Sequence, residues 1–449
     1  MRQPKVYVTA VTNEVDENYE GEQIYSKAMT FAGKNAALCH TDEFYFSDKI
    51  QDPVNALRRG ETYGGLHQSL HDHFHITMYL ELPKFMAMLL NSTGVYNTSE
   101  RSFRDNVHPE TELEEKYYKK WTDKLFPIIT RYSADYITEK GRYKLAQEYA
   151  RYMISAFQMV TLSFTVSYRH LMEILNYLED LYVTIDKFLE KCAEIECNPK
   201  NALFYEKASA SAKNLRNEIC KTLRLDPNNL PLKNIKNQSF RFMEDLVAMK
   251  YFLEYPLDKK DIDLVDFSHL SGIGKGLYKV PTIGDSYTVD YDASFSSLAH
   301  LERHRSLRYS FLLGGSILFY TPDLIKIQII KTPENNIFKE WIDDLIHLYT
   351  EGIIPQALQL RVTEQGIFED FALKCKERLC SRAQYETCRN TEEVLLRFNK
   401  YKDNLSKENR VLLNNMLDSK GDANPRCQFG DFTCEEPCRL GKYGMERSI

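Results

Sequence analysis

The chain is 449 residues long with 43% hydrophobic and 27% charged residues, the proportions of a globular chain with material for two or three domains. Its 64 acidic and 58 basic residues give a formal charge of −6, so no global positive field exists to hold nucleic acid, and any nucleotide must be gripped locally. The start, MRQPKVYVTAVTNEVDENYEGE, turns acidic where a secretory signal carries its apolar stretch, and the longest apolar run, FLLGGSILFY at 311–320, has about half the length of a bilayer crossing; a cytoplasmic protein without a membrane partner is expected.

In chain order, HITMYLEL (75–82) alternates Ile76, Met78, Leu80 and Leu82 on one face, the period of a half-buried strand. Pro83 ends it, and KFMAMLLN places apolar residues at helical spacing, with Met86 and Met88 as core filler. FQMVTLSFTVSY (157–168), rich in β-branched and aromatic residues, is a second strand leading into the helical RHLMEILNYLEDL. LRLDPNNLPLKNIKNQ (223–238) has the composition of a linker. Beyond it the grammar returns. Tyr287, Val289 and Tyr291 alternate before the helical ASFSSLAHLERHR, and LQLRVT (358–363) precedes GIFEDFALKCKERLC. The chain reads as two diverged copies of one α+β domain, 1–225 and 226–420, followed by a turn-rich, cysteine-containing tail at 421–449.

Three groups of residues carry chemistry. LERHRSLRYSF (301–311) sets Arg303, His304 and Arg305, then Arg308, in an apolar segment; it suits an anion or, alone, a solvated helix end. His67, His71, His73 and His75 suggest a metal, but alternation puts only His73 and His75 on one strand face and no fourth ligand follows, so no metal is expected there. The ten cysteines lack the density of a disulfide scaffold, and a cytoplasm keeps them reduced. In the tail, Cys427, Cys434 and Cys438, joined by Cys380, offer four thiolates to zinc; the spacing Cys-x6-Cys-x3-Cys is no standard motif, and reduced thiols are the competing reading.

Residues 65–105, GLHQSLHDHFHITMYLELPKFMAMLLNSTGVYNTSERSFRD, resemble the core of the flavin-dependent thymidylate synthases, the ThyX family. That family has a His-x-Ser-x-x-Glu-His segment entering a strand, a Pro-led helix and the signature Arg-His-Arg-x-x-Ser-x-Asn-Glu-x-Ser-x-Arg-Tyr. Here the first segment is His67, Ser69, Asp72 and His73, and the signature ends in Glu100, Ser102 and Arg104. Its start is lost to Ser92, Thr93 and Gly94. The second copy keeps Arg303-His304-Arg305 and has lost the end. EYARYMISAFQMVTLSFTVSYRHLMEIL resembles the family's Ala-Arg-x-x-Leu-Pro strand and Asn-x-Arg helix start, giving Arg151, Arg169 and Ser167 in place of Asn. ERLCSRAQYETCR resembles Arg-(x)4-Ala-Gln-x-Glu-Ile, giving Arg378, Gln384 and Glu386. Copy one has Leu178 for this arginine, and copy two has Glu351 for Arg151. Each copy keeps what the other lost, which is natural if both make one composite site.

The resemblance covers about residues 30–190 and 285–400 and implies reductive methylation of dUMP to dTMP, with methylenetetrahydrofolate giving the carbon and FAD, reduced by NADPH, the hydride. It implies two ThyX-like domains as an intrachain pseudodimer, and a homodimer imitating the family's tetramer. Arg378 then stabilises the ionised uracil. Glu100, Ser102, Arg104, Arg151, His300 and Arg303 belong to the dUMP side. Ser69, Arg303, His304, Arg305, Ser167, Arg169 and Glu173 contact the flavin by family position. Two readings compete with synthesis: a nucleotide- or flavin-binding protein without turnover, motivated by the departures at Ser92–Gly94, Asn97, Ser167, Glu173 and Ser310–Phe311, and a related modification of another pyrimidine nucleotide, motivated by His300 in place of a family glutamine.

Overall fold

The computed structural model describes residues 2–12, 22–38, 47–63, 68–92, 96–100, 107, 109–133, 137–196, 199, 201–232, 245–254, 282–304, 306–313, 317–326, 336–380 and 383–433. In chain order the elements are β1 (Lys5–Val11), α1 (Glu22–Leu38), α2 (Asp48–Gln51), α3 (Pro53–Tyr63), β2 (His75–Pro83), α4 (Lys84–Asn91), β3 (Tyr96–Glu100), α5 (Glu112–Tyr132), α6 (Glu139–Ala150), β4 (Met159–Ser167), α7 (Tyr168–Glu194), α8 (Ala202–Thr222) and α9 (Asp245–Glu254). They continue with β5 (Ser286–Ser294), α10 (Phe295–Leu301), β6 (Arg308–Leu312), α11 (Ile337–Thr350), β7 (Gln359–Ile367), α12 (Phe368–Arg378), α13 (Tyr385–Lys400) and α14 (Lys407–Asn415). Helices and two antiparallel sheets make this an α+β protein. Among the described residues no helix is long and apolar enough to cross a membrane.

The chain divides into two compact units, one of Met1–Arg101, Met159–Glu190 and Phe204–Phe240, the other of Ser102–Gln158, Lys191–Leu203 and Arg241–Ile449. The division does not fall at the boundary expected near residue 225: α5, α6 and the short 3-10 helix Arg151–Met153 precede it yet belong to the second unit.

In the first unit the sheet order is β1-β2-β4-β3. Ile76, Met78, Leu80 and Leu82 on β2 and Val160, Leu162, Phe164 and Val166 on β4 are all buried, as period-two strands with one covered face require. Beside the sheet, α1 and α3 approach so closely that a Cβ on Gly33 would stand 1.8 Å from the Ala56 carbonyl oxygen; only glycine fits there.

In the second unit the order is β5-β7-β6, the same as β2-β4-β3. The register is also the same. Shifting β2 by 211 (His75 to Ser286) and β4 by 200 (Ser167 to Ile367) turns His75↔Ser167 through Pro83↔Met159 into Ser286↔Ile367 through Ser294↔Gln359. The same shifts turn Asn97↔Thr165 into Arg308↔Gln365. Since a slip of one residue would exchange the faces of a strand, equal register means equal facing of every equivalent side chain. By these shifts Ser92 stands where Arg303 stands, Leu178 where Arg378 stands, and Glu351 where Arg151 stands; Thr93, Gly94 and Arg305 lie outside the described residues.

The core of the second unit joins α5 to α11. Trp121 and Trp341 meet edge to face with ring centroids 4.8 Å apart, among Leu125, Ile129, Leu345 and Leu348. Both indoles keep a partner: Trp121 Nε1 donates to Asp344 Oδ2 (2.9 Å) and Trp341 Nε1 to the Tyr320 carbonyl (3.0 Å). Thr111 and Glu114 start α5 with a capping box. Around the Ser155↔Pro355 bridge, Ala156 N donates to Ile354 O (2.7 Å) and Gln356 N to Ile154 O (2.8 Å). These positions differ by the same shift of 200, and the reciprocal exchange is the pattern of an isologous, two-fold contact.

Candidate functional site

Where β5 ends, Ser294 caps α10, its Oγ accepting from Ser297 N at 3.0 Å. Ser294 and Ser296 are buried, and buried hydroxyls must find partners. The Ser294 N and Oγ donate to the two carboxylate oxygens of Glu386 at 2.6 Å each, and the Tyr152 hydroxyl donates to Oε2, also at 2.6 Å. Glu386 lies in the first turn of α13, where the helix dipole favours a negative group. Burial pushes its carboxyl pKa up, while Ser294, Tyr152 and the Arg151 guanidinium pull it back. Gln384, just before α13, donates from Nε2 to the Tyr152 hydroxyl (2.8 Å) and to Ser296 Oγ (3.3 Å). Its Oε1 is buried and has no hydrogen-bond partner among the described residues. Arg151, only 2% exposed, donates from Nη2 to Ser296 Oγ at 2.9 Å. One cluster in the second unit thus holds Arg151 and Tyr152, which precede the 223–238 stretch, with Ser294, Ser296, Gln384 and Glu386, which follow it.

A second group lies on α10 and α12 of the same unit. Arg378, the last residue of α12, donates from Nη2 to the carbonyl of half-buried His300 at 3.1 Å. His304 is buried; burial first, then the Arg378 and Lys374 charges, push its pKa down to about 3, so it is a neutral imidazole at pH 7. Its Nε2 stands 3.8 Å from a Glu377 carboxylate oxygen, beyond hydrogen-bond length. Arg303 is exposed. The Arg-His-Arg corner therefore presents one exposed guanidinium and one buried neutral ring, and Arg305 lies outside the described residues.

In the first unit the junction of β4 and α7 carries a third group. Asp72 Oδ1 accepts from Ser167 Oγ (3.0 Å) and Arg169 Nε (2.9 Å), Glu173 accepts from His170 Nδ1 (2.9 Å), and Arg169 Nη1 lies 3.5 Å from Glu173. Arg169 keeps about a third of its side chain exposed, at 34%. Glu100 is taken up elsewhere in that unit: its side chain is 2% exposed, and it pairs with Lys84 and accepts from Asn91 Nδ2 at 3.0 Å. The side chain of Ser69 and the residues Ser102, Arg104, His67, Cys434 and Cys438 lie outside the described residues. No cluster of three metal-ligating side chains occurs among the described residues.

Thus Arg151 stands with Gln384 and Glu386, Arg378 with His300 and His304, and Ser167, Arg169 and Glu173 with Asp72. Tyr152, Ser294 and Ser296 did not emerge as site residues from the sequence. The serines had a signal: three of them in SFSS open a helix whose other positions, His300 apart, are apolar, and buried hydroxyls on such a face need an acceptor.

No family model matches the chain, and no curated protein does. Among solved structures, thymidylate synthase X (ThyX) from Helicobacter pylori with FAD and dUMP is similar at 12% identity over 54% of this chain and 99% of that chain, with a TM-score of 0.23.

Proposed function

We propose that the protein is a flavin-dependent thymidylate synthase built from two fused ThyX-like copies, converting dUMP to dTMP with methylenetetrahydrofolate and NADPH. The observation that carries this reading is the buried cluster in which Arg151 and Tyr152 of one copy share Ser296, Gln384 and Glu386 of the other. Equal strand register and the two-fold exchange around Ser155 and Pro355 support a fused pair standing in for a dimer, with two chains standing in for a tetramer.

The donor set suits the ligands. Guanidiniums match phosphate oxygens two at a time, and a fixed cation stabilises charge developing on a pyrimidine. In this reading Arg151, with Ser102 and Arg104, belongs to the phosphate and sugar side, and Arg378 beside His300 favours the N3-ionised uracil. The unanswered Gln384 Oε1 fits an additional donor such as a bound N–H or water. The cation of exposed Arg303 and, separately, that of partly exposed Arg169 each suit a pyrophosphate, and by family position Ser69, Ser167, Glu173, His304 and Arg305 are the remaining flavin candidates. When bound, the flavin supplies hydride transfer. Tail cysteines are assigned no metal.

The test is dTMP formation by the full chain supplied with FAD, NADPH and methylenetetrahydrofolate. Product from the wild type and turnover lower by about 10²–10³-fold in a folded Arg378→Ala variant supports the proposal; no product from FAD-loaded wild type overturns it. A specific observation favours a second reading, binding without turnover: Glu100, the signature carboxylate, is buried against Lys84 and Asn91. Saturable dUMP binding without product selects that reading.

A further inference from the structure

Beneath the Arg303–His304 corner the second unit carries an ion pair that stability does not explain. Glu364 and Lys374 bond at 2.6 Å with both side chains 0% exposed. Glu364 lies on the core face of β7, opposite Val289 and Tyr309. Its Oε1 accepts from the Tyr287 hydroxyl (2.7 Å) and its Oε2 from the Tyr291 hydroxyl (2.6 Å). Lys374 Nζ stands 5.7 Å from the Tyr291 ring centroid and 5.8 Å from those of Tyr309 and Phe371, close enough for cation–π attraction.

The first sheet builds the same register without any of this. By the shifts above, Glu364 corresponds to Phe164, Lys374 to Ile174, and Tyr287 and Tyr291 to Ile76 and Leu80, all buried. Desolvation of a buried pair commonly exceeds its attraction, and apolar replacement of the whole pair is often neutral or stabilising. What differs above the two cores is charge: Arg303 and Arg378 replace Ser92 and Leu178. Lys374 lies one turn before Arg378 on the same face of α12.

We infer that Lys374, held by Glu364 and the two tyrosines, is a positioning residue for the nucleotide site: it fixes the last turn of α12 so that Arg378 reaches the His300 carbonyl, and it sets a cation beneath His304. The ligand class is an anionic nucleotide that meets a neutral imidazole next to a fixed guanidinium. From α12, Lys374, Glu377 and Arg378 face His304; Glu302 precedes it by two residues, and the buried Tyr309 hydroxyl follows on β6. The inference rests on the function proposed above, so its test begins without ligand.

The experiment compares the full wild-type chain with Tyr287→Phe/Tyr291→Phe/Glu364→Leu/Lys374→Met, which copies the apolar chemistry of the first sheet, and with Glu364→Gln/Lys374→Met, which keeps an acceptor for the tyrosines. The readouts are the nitrogen-15 signals of the His304 ring between about pH 8 and 5, and dUMP affinity by calorimetry. Folded variants with displaced His304 signals and about tenfold weaker dUMP binding are expected. A folded variant with wild-type His304 signals and wild-type affinity overturns the inference, as does failure of both variants to fold. If the wild type binds no dUMP, the functional proposal fails, and the His304 signals alone decide the positioning role: displaced signals uphold it and unchanged signals end it.

Discussion

The two sheets share strand order and register but place their polar groups differently. In the first unit the core face of β2 and β4 is apolar, one buried pair, Glu100 with Lys84, lies at the end of β3, and the polar cluster of Asp72, Ser167, Arg169 and Glu173 sits at the β4–α7 junction, with Asp72 and Arg169 a third exposed at 37% and 34%. In the second, polar groups go into the interior: Glu386, Gln384, Arg151, Glu364 and Lys374 are all buried. The same backbone tolerates both because register fixes which face a side chain takes, while satisfaction of donors and acceptors decides whether a polar one can stay. Interior groups are therefore coupled and costly to remove, and junction groups are not.

Four experiments sharpen or break this contrast. Glu386→Leu should have the largest effect on folding: it leaves the Tyr152 and Ser294 donors buried without their acceptor, and chemical denaturation should show a loss of about 3–5 kcal/mol. A loss under about 1 kcal/mol would mean the interior cluster is no more coupled than a surface pair. Arg378→Ala removes a side chain at 17% exposure from the end of α12. Its melting temperature should stay near wild type while turnover falls by about 10²–10³-fold, the loss typical of removing one charge-stabilising donor.

His304 gives the next effect through pH. Its folded pKa, near 3, lies below the unfolded value of 6.5, so the unfolded chain binds the extra proton between those values. Stability contributed by the neutral ring is present above about pH 6.5 and is lost as pH falls, by at most about 1.4 kcal/mol per pH unit. His304→Gln should flatten the acid limb of a denaturation series, and an unchanged limb would place the acid sensitivity elsewhere. Asp72→Ala should be smallest, below about 1 kcal/mol, because solvent screens partly exposed pairs; a loss as large as that of Glu386→Leu would erase the distinction between junction and interior.

The strand–helix grammar was legible because apolar residues alternate cleanly. Ile76, Met78, Leu80 and Leu82 read as the buried face of a strand and form one, and so do Tyr287, Val289 and Tyr291. Helices α3, α5 and α8 are hard to read because their apolar residues are spread among charges, whereas β1, KVYVTAV, is β-branched and aromatic and was legible in principle. In the candidate site, Arg151, Gln384 and Glu386 could be found from motif position, and complementary losses point to one composite site, but which of them touch could not be read, because that depends on α5 and α6 folding with residues beyond 241. Glu364 was legible in principle. It shares the parity of Leu360 and Val362 on β7, and a carboxylate on an apolar face announces a buried partner. The unexpected state of His304 was not legible: three basic residues in a row read as cations, and only burial beside Arg378 and Lys374 makes the middle one neutral.

The most direct measurement is a calorimetric titration of dUMP into the full chain supplied with FAD, repeated with Arg378→Ala. The account predicts saturation at a single nucleotide per chain in the wild type and at least tenfold weaker binding in the folded variant, a difference of about 1.4 kcal/mol or more. No saturable binding, or binding indifferent to the loss of that guanidinium, would contradict it.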